Sequence, residues 1–502
     1  MISRWRLKAS SGFWALTSGC NGGEIAPMTK RLLSLSCVVV FFSAVFVQAE
    51  TKLPNILGSN MVLQQGEKCP IWGWDDSDKQ VTVEFAGQKH TAKVGDDGRW
   101  EVHLDPMKAN AKGQTLTIRG SSKLELKDVL VGEVWLCSGQ SNMEWTVSRS
   151  ANPKEEIANG NHPLIRHIKV PHQLSPTPKD NMVTGGWQVC SPKVVANFTA
   201  VGYYFARKLQ SDIKVPIGLI GSNWGGTRIE PWTPPVGFKS VKELKASHTD
   251  RLDAFAKARP GRGTPTHMYN AMIHPILPFT IKGAIWYQGE SNNGEGMVYY
   301  HKMRALIAGW RSVWNKPNLP FYFVQLAPFR YGGDPTRLAG IWHAQLTTAQ
   351  KIPNTGMAVT TDITNLRDIH PKNKQDVGKR LALWALAKDY GKKDVVYSGP
   401  LFEKVSYLEG KDSITVHFKK LDGKQHGLKT SDGKAPSHFE IAGKDGAWHP
   451  AEATIVYGDH LKLKSAKVKS PVHVRFGWNQ LAEPNLVNRA GLPASPFNTA
   501  FK

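Results

Sequence analysis

The stretch Trp135–Trp145, "WLCSGQSNMEW", decides how the rest of the chain is read. It follows the apolar run "VLVGEVWLCS" (129–138), so a buried strand ends where Gly139, Gln140 and Ser141 turn the chain. A serine at such a strand end can project as a nucleophile, or it can cap the next segment. The spacing excludes the common G-x-S-x-G elbow, because Met143 stands where the second glycine belongs.

A hydrolytic serine needs a base, a group that orients the base, and donors for the developing oxyanion. Three later stretches offer them. "GSNWGGTRIEPW" (221–232) ends a strand in Gly225-Gly226, where backbone N–H groups can approach a reacting oxygen. "IWYQGESNN" (285–293) places the neutral amides of Gln288 and Asn292 and the carboxylate of Glu290 in one turn. "DIHPKNKQDVGKRLA" (368–382) sets Asp368 and His370 in a polar loop before a long helix, where the carboxylate can hold the imidazole tautomer. His274, in the apolar connection "NAMIHPILPF", reads as structural. "CSPKV" (190–194) has Val194 where a C-x-P-x-R sulfatase motif needs arginine, so Cys190 reads as a buried thiol. No HExxH or CxxC spacing indicates a catalytic metal, and no cofactor is expected.

Around these motifs the texture of the chain changes twice. Residues 50–128 alternate short strand-like runs ("CPIWGW", "QVTVEFAG", "RWEVHL") with Gly and Asp turns, which predicts a small antiparallel β domain. Residues 129–395 interleave apolar strands with the helix-like stretches "NFTAVGYYFARKLQSDI", "MVYYHKMRALIAGWRSVW" and "DVGKRLALWALAKDYG", which predicts an α/β domain with a mainly parallel sheet. In such a sheet, ligands gather beyond the carboxyl ends of the strands, so the polar turns should converge. Residues 396–502 return to strand-and-turn texture and predict a C-terminal β domain.

Residues 1–49 read as an upstream extension followed by a secretory signal peptide starting at Met28: Lys30 and Arg31, an apolar core, then Val47-Gln48-Ala49 before Glu50. The expectation is a secreted or periplasmic protein, translated from Met28, with no further membrane span. Removing those residues takes the net charge of +23 down by four to +19, and leaves Cys69, Cys137 and Cys190, enough for at most one internal bridge. The lysines are scattered and not interleaved with aromatics, which disfavours nucleic acid and leaves an anionic glycan as a partner suited to the charge.

In order along the chain, "GQSNMEW", "GSNWGGTRIEPW", "NAMIHPILPFTIKGAIWYQGESN" and "DIHPKNKQDVGKRLA" resemble the sialate O-acetylesterase family of SGNH-type carbohydrate esterases. "ILGSNMVLQQ" (56–65) and "VRFGWNQLAEPNLVNRAGLPASPF" (474–497) extend the resemblance over nearly the whole chain after residue 49. The resemblance implies an SGNH-like three-layer domain flanked by small antiparallel β domains. It further implies Ser141 as nucleophile, His370 as base, and an oxyanion hole of the Ser141 and Gly225 N–H groups with the Gln288 side chain. Two blocks depart from the wider SGNH pattern. Gln288-Gly289-Glu290 replaces an Asn-before-Asp block, leaving Asn292 as an alternative donor, and Arg367 occupies the position three before His370 where an Asp is usual. Asp368 is therefore the expected orienter, with Asp362 in "TTDIT" as the fallback. Trp224, Arg228, Glu290 and Asn292 are expected to line a sugar pocket, with Glu230 and Trp232 flanking it. The expected substrate is an acetylated carbohydrate, sialic acid or another glycan. An acetylxylan-type esterase and a non-catalytic glycan-binding protein are the alternatives.

Overall fold

The computed structural model describes residues 50–501, except residues 77, 408–411 and 425. The expected extension and signal peptide (1–49) lie outside the described residues. At the centre stands β1 (Lys123–Gly139), flanked by β2 (Ile165–Lys169), β3 (Ile217–Asn223), β4 (Gly283–Tyr287), β5 (Phe321–Val324) and β6 (Thr355–Ala358). The order across the sheet is β6-β5-β4-β1-β3-β2, all parallel, with Gln188–Val189 added antiparallel beyond β2. Buried parallel strands must be apolar on both faces, and all of β3, β4, β5 and β6 is buried. The long helices α1 (Ala200–Ile213), α2 (Val298–Val313), α3 (Arg337–Lys351) and α4 (Lys374–Lys388) pack in pairs, α1 on α4 and α2 on α3. Gly378 lets α4 approach α1, since a methyl there would lie 2.7 Å from the Tyr204 Cβ and the Val201 carbonyl.

Residue 129 falls inside a strand, at the point where its burial changes. The first part of β1, Lys123–Asp128, alternates exposed with half-buried residues; Lys123–Leu126 pair antiparallel with Leu116–Arg119, and the same neighbour, Asn110–Arg119, reaches on to Val129 and Val131. From Val129 to Gly139 every residue is buried, and the same strand joins the parallel sheet. Val62–Gln64 pairs parallel with Leu130–Gly132 at the join. The rest of the leading β region is antiparallel, as is the C-terminal region, which forms two four-stranded sheets and a two-stranded one. The mainly parallel sheet flanked by small antiparallel sheets is thus the expected fold class. The strands β2 and β6 and the helix α3 are additions to the sequence reading.

Candidate active site

Strand register brings the motifs together. Gly139, the last residue of β1, is level with Asn223 on one side and Tyr287 on the other, so the turns that follow start at one height. Gly139 has φ +133°, and a Cβ there would meet the Tyr287 carbonyl oxygen at 2.2 Å, so glycine is required for the chain to turn this close to β4. The turn becomes a single helical turn, Ser141–Glu144, which leaves the Ser141 and Asn142 N–H groups without intrahelical acceptors. From beyond β6, the loop before α4 returns to the same place and carries His370.

His370 Nε2 lies 2.8 Å from Ser141 Oγ. Its Nδ1 is 3.5 Å from an Asp368 carboxylate oxygen, and that oxygen also accepts the His370 backbone N–H at 2.9 Å. The imidazole stacks on Trp145 at 4.7 Å between ring centres and 16° between planes. Arg149 lies 3.7 Å from the centre of the same indole. Burial holds the His370 imidazole below the usual histidine range, and the Lys374 charge adds to this, while Asp368 works against them. A neutral imidazole bonded to a hydroxyl is the state that can accept its proton. The fallback orienter Asp362 is engaged elsewhere: both its oxygens accept from Arg380, at 2.7 and 2.6 Å.

Behind the serine lies a buried relay. Asn142 donates to Glu290 Oε1 at 2.5 Å and to the Ile369 carbonyl at 3.1 Å, and its own oxygen accepts from Lys374 Nζ at 2.5 Å. Lys374 has no exposed surface, and burial pushes its ammonium down to about 7 against the pull of Glu290. Burial raises Glu290, whose second oxygen has no partner among the described residues.

Four expected site residues have other employment. Gln288 is fully buried: its amide donates to Gln140, Thr227 and Asn292, and its oxygen accepts from Tyr299. It therefore supports the turn and does not offer a free donor to the serine. Asn292, also fully buried, accepts from the Ile229 N–H and donates to Glu230 and Glu295. Arg228 bonds to Glu230, Glu295 and the Ser291 carbonyl. Glu290 belongs to the relay. These side chains were attractive in sequence because they are polar and follow strand ends, but each is committed to protein partners, Gln288 and Asn292 to each other, Glu290 to Asn142, and Arg228 to Glu230 and Glu295. Trp224 alone of the expected pocket residues stands at the mouth, stacked on His172 at 4.3 Å and 3°. Glu230 and Trp232 are buried.

Gly225 lies beside Ser141. A methyl on it would lie 3.2 Å from both Ser141 Cβ and Glu144 Oε2. Its N–H donates to Glu144 Oε2 at 2.7 Å. The other Glu144 oxygen bonds His172 Nε2 at 2.6 Å and lies 3.6 Å from Lys169 Nζ. Glu144, Lys169, His172, Trp145 and Lys374 escaped the sequence reading. For Glu144 and Trp145 a signal existed, since residues three and four past Ser141 share its side of a helical turn. Lys374 reads as one more surface lysine in a basic chain. Among the described residues no cluster of three or more His, Cys, Asp or Glu side chains is placed to hold a metal ion.

The chain matches the family described as carbohydrate esterase, sialic acid-specific acetylesterase over residues 131–387, which span β1 through α4. It is 31% identical to the sialate O-acetylesterase of Homo sapiens, covering 89% of this chain and 92% of that protein. The protein belongs to the sialic acid-specific acetylesterase family. The sialate O-acetylesterase of Rattus norvegicus is 32% identical, over 85% of this chain and 89% of its own length. A crystal structure of a carbohydrate acetylesterase from Xanthomonas citri superposes with a TM-score of 0.82 at 38% identity, over 90% of this chain and all of that one. As a member of the sialic acid-specific acetylesterase family, the chain is a carbohydrate esterase, a hydrolase of carboxylic esters. No helix among the described residues is long and apolar enough to cross a membrane.

Proposed function

We propose that this esterase is a secreted carbohydrate O-acetylesterase that works through an acyl-enzyme on Ser141. The observation that carries the reading is the 2.8 Å contact between His370 Nε2 and Ser141 Oγ. A glycan-binding protein has no use for a serine held on a neutral imidazole. In the first step Ser141 Oγ attacks the acetyl carbonyl carbon while His370 takes the hydroxyl proton. The main-chain N–H groups of Ser141 and Gly225 receive the negative oxygen of the tetrahedral adduct. Collapse breaks the bond to the sugar oxygen, which leaves with the proton returned by His370. A water, deprotonated by the same imidazole, then attacks the acetyl-serine, and acetate departs. Asp368 keeps the imidazole in the tautomer this requires.

The proposed substrate is an O-acetylated glycan, sialic acid or another acidic sugar first among them. The net charge of the chain supports an anionic acceptor, and so do the Lys169, His172 and Arg149 side chains around the mouth. A second reading is an esterase of acetylated polysaccharides such as xylan, since the similar structure is described as a carbohydrate acetylesterase without naming the sugar. Secretion rests on the signal-like residues 28–49. N-terminal sequencing of the exported protein should begin at or beside Glu50, and another start would refute the cleavage site.

The decisive experiment is Ser141→Ala, assayed on an aryl acetate and on a panel of acetylated sialic acids, uronic acids and xylo-oligosaccharides by acetate release. We expect kcat to fall by about 10³ or more on every substrate. Turnover at the wild-type rate would remove Ser141 from the mechanism, and the panel ranks the acceptors.

A further inference from the structure

In the mechanism proposed above the Gly225 N–H receives the oxyanion, and in the structure it is not free. Glu144 Oε2 accepts it at 2.7 Å, and Ser141 Cβ and the Glu144 carboxylate face the same bare Cα of Gly225. A carboxylate oxygen there has the charge and hydrogen-bonding character of the oxyanion itself. Glu144 is held on its other oxygen by His172, whose ring lies flat on Trp224. Arg262 donates to the Gly225 carbonyl, which belongs to the following peptide.

There is room for a second position of the carboxylate. Glu144 itself lines a cavity of about 350 Å³, together with Lys169, Thr146, Thr184, Gln188 and Asn223 among others. Lys169, bonded to Asn223 at 2.5 Å, already sits 3.6 Å from Glu144, so a side-chain rotation toward the cavity exchanges the Gly225 N–H for a closer ion pair. Glu144 starts the move from a half-buried position at the rim.

We propose that Glu144 is an internal ligand of the oxyanion hole, resting on the Gly225 N–H in the substrate-free enzyme and turning toward Lys169 when an acetyl ester enters. The inference rests on Ser141 and Gly225 having the roles given above. It makes Glu144 a selector: an ester must supply enough binding energy to displace a charged group before its carbonyl can be polarised. Apparent affinity for any ligand of the hole falls by the fraction of time the hole is open. An acetate on a well-bound sugar meets this cost, whereas a small unanchored ester feels it in full.

The test compares wild type with Glu144→Ala and Glu144→Gln, using 4-nitrophenyl acetate and phenylboronic acid, which adds to a serine to give a tetrahedral anion. With the hole vacated, kcat/KM for 4-nitrophenyl acetate should rise about tenfold in Glu144→Ala and the boronate inhibition constant should fall by the same factor. Glu144→Gln, which keeps size and removes charge, should lie between. Unchanged or weakened boronate binding in both variants, with melting temperatures at the wild-type value, would overturn the proposal. Should Glu144→Ala fold poorly, a crystal of the wild type with phenylboronic acid decides. Glu144 should be turned from Gly225, and a carboxylate still within 3 Å of that N–H beside a bound boronate would overturn it. Loss of activity in Ser141→Ala together with flat Glu144 variants would sink this inference alone, whereas an active Ser141→Ala would sink the reading beneath it.

Discussion

The imidazole of His370 and the indole of Trp145 lie face to face, 4.7 Å apart and 16° from parallel, although one belongs to the loop before α4 and the other to the turn after β1. The stack fixes the plane of the imidazole, and Asp368 at 3.5 Å from Nδ1 fixes its rotation. Replacing Trp145 with Leu should therefore lower kcat about tenfold with a smaller change in KM, because orientation is lost while the binding surface stays largely intact. Steady-state kinetics on an aryl acetate separate the two effects.

The two aspartates proposed for orientation should part company on substitution. Asp368→Asn should cut kcat by about 10² or more with little loss of stability, since it leaves the imidazole in the wrong tautomer. Asp362→Asn removes one charge from the two-bond contact with Arg380, so it should cost about 2 kcal/mol in urea unfolding and leave kcat near wild type. The reverse pattern would make Asp362 the orienter.

The pH profile follows from the same loop. In the proposed mechanism His370 must be neutral to accept the serine proton, and burial together with Lys374 holds its pKa down, so the acid limb of kcat/KM should fall below the ordinary histidine value of 6.5. Lys374, itself pushed down to about 7, is charged over that limb. Lys374→Met should move the limb to higher pH, and Asp368→Asn, which removes the opposing charge, should move it lower. Limbs that move together in both variants would rule out direct electrostatic control by these two residues.

A buried ion cluster beneath the site should govern acid stability. Burial works to raise Glu230, but Lys302 at 2.6 Å and Arg228 overcome it and hold the carboxyl at about 2. A depressed carboxyl stabilises the fold above its unfolded value of about 4.5, and the contribution is lost as pH falls from there toward about 2. It amounts to roughly 3 kcal/mol. Urea midpoints measured from pH 6 to pH 3 should fall steeply in the wild type and less steeply in Glu230→Gln.

Burial also hides the thiols. Cys69, Cys137 and Cys190 are unpaired and buried, and desolvation pushes Cys69 and Cys190 up to about 12 and Cys137 higher still. A thiol reagent at pH 8 should find none of them in the native protein and all of them in guanidinium.

Much of this was legible in the sequence because it follows from period and punctuation. Apolar runs ending in Gly-rich polar turns predicted a parallel sheet, and the strand-end rule predicted that the turns at Ser141 and Gly225 would converge, while His370 was brought to them by the family resemblance. What sequence could not separate was a polar residue beside the serine from one behind it. Gln288, Glu290 and Asn292 have the same chemistry as site residues, and only the depth of their turn tells that Gln288 and Asn292 bond to each other and Glu290 to Asn142. Lys374 was hidden for the opposite reason, since a lysine in the first turn of an amphipathic helix is ordinarily solvated. β2 went unseen because Arg166, His167 and Lys169 leave Ile165–Lys169 with only two apolar residues, although only Lys169 reaches the surface.

That β1 serves two sheets limits how such a protein can evolve. A fragment beginning at residue 129 would keep every residue of the Ser141 and His370 loops, yet would lose Lys123–Asp128 and the pairing with Asn110–Arg119. It would expose a strand edge free to join another copy. The catalytic half is therefore a poor cassette for gene fusion, and lineages that inherit its chemistry should inherit the leading β region with it. The human relative, aligned over 89% of the chain, fits descent as a whole.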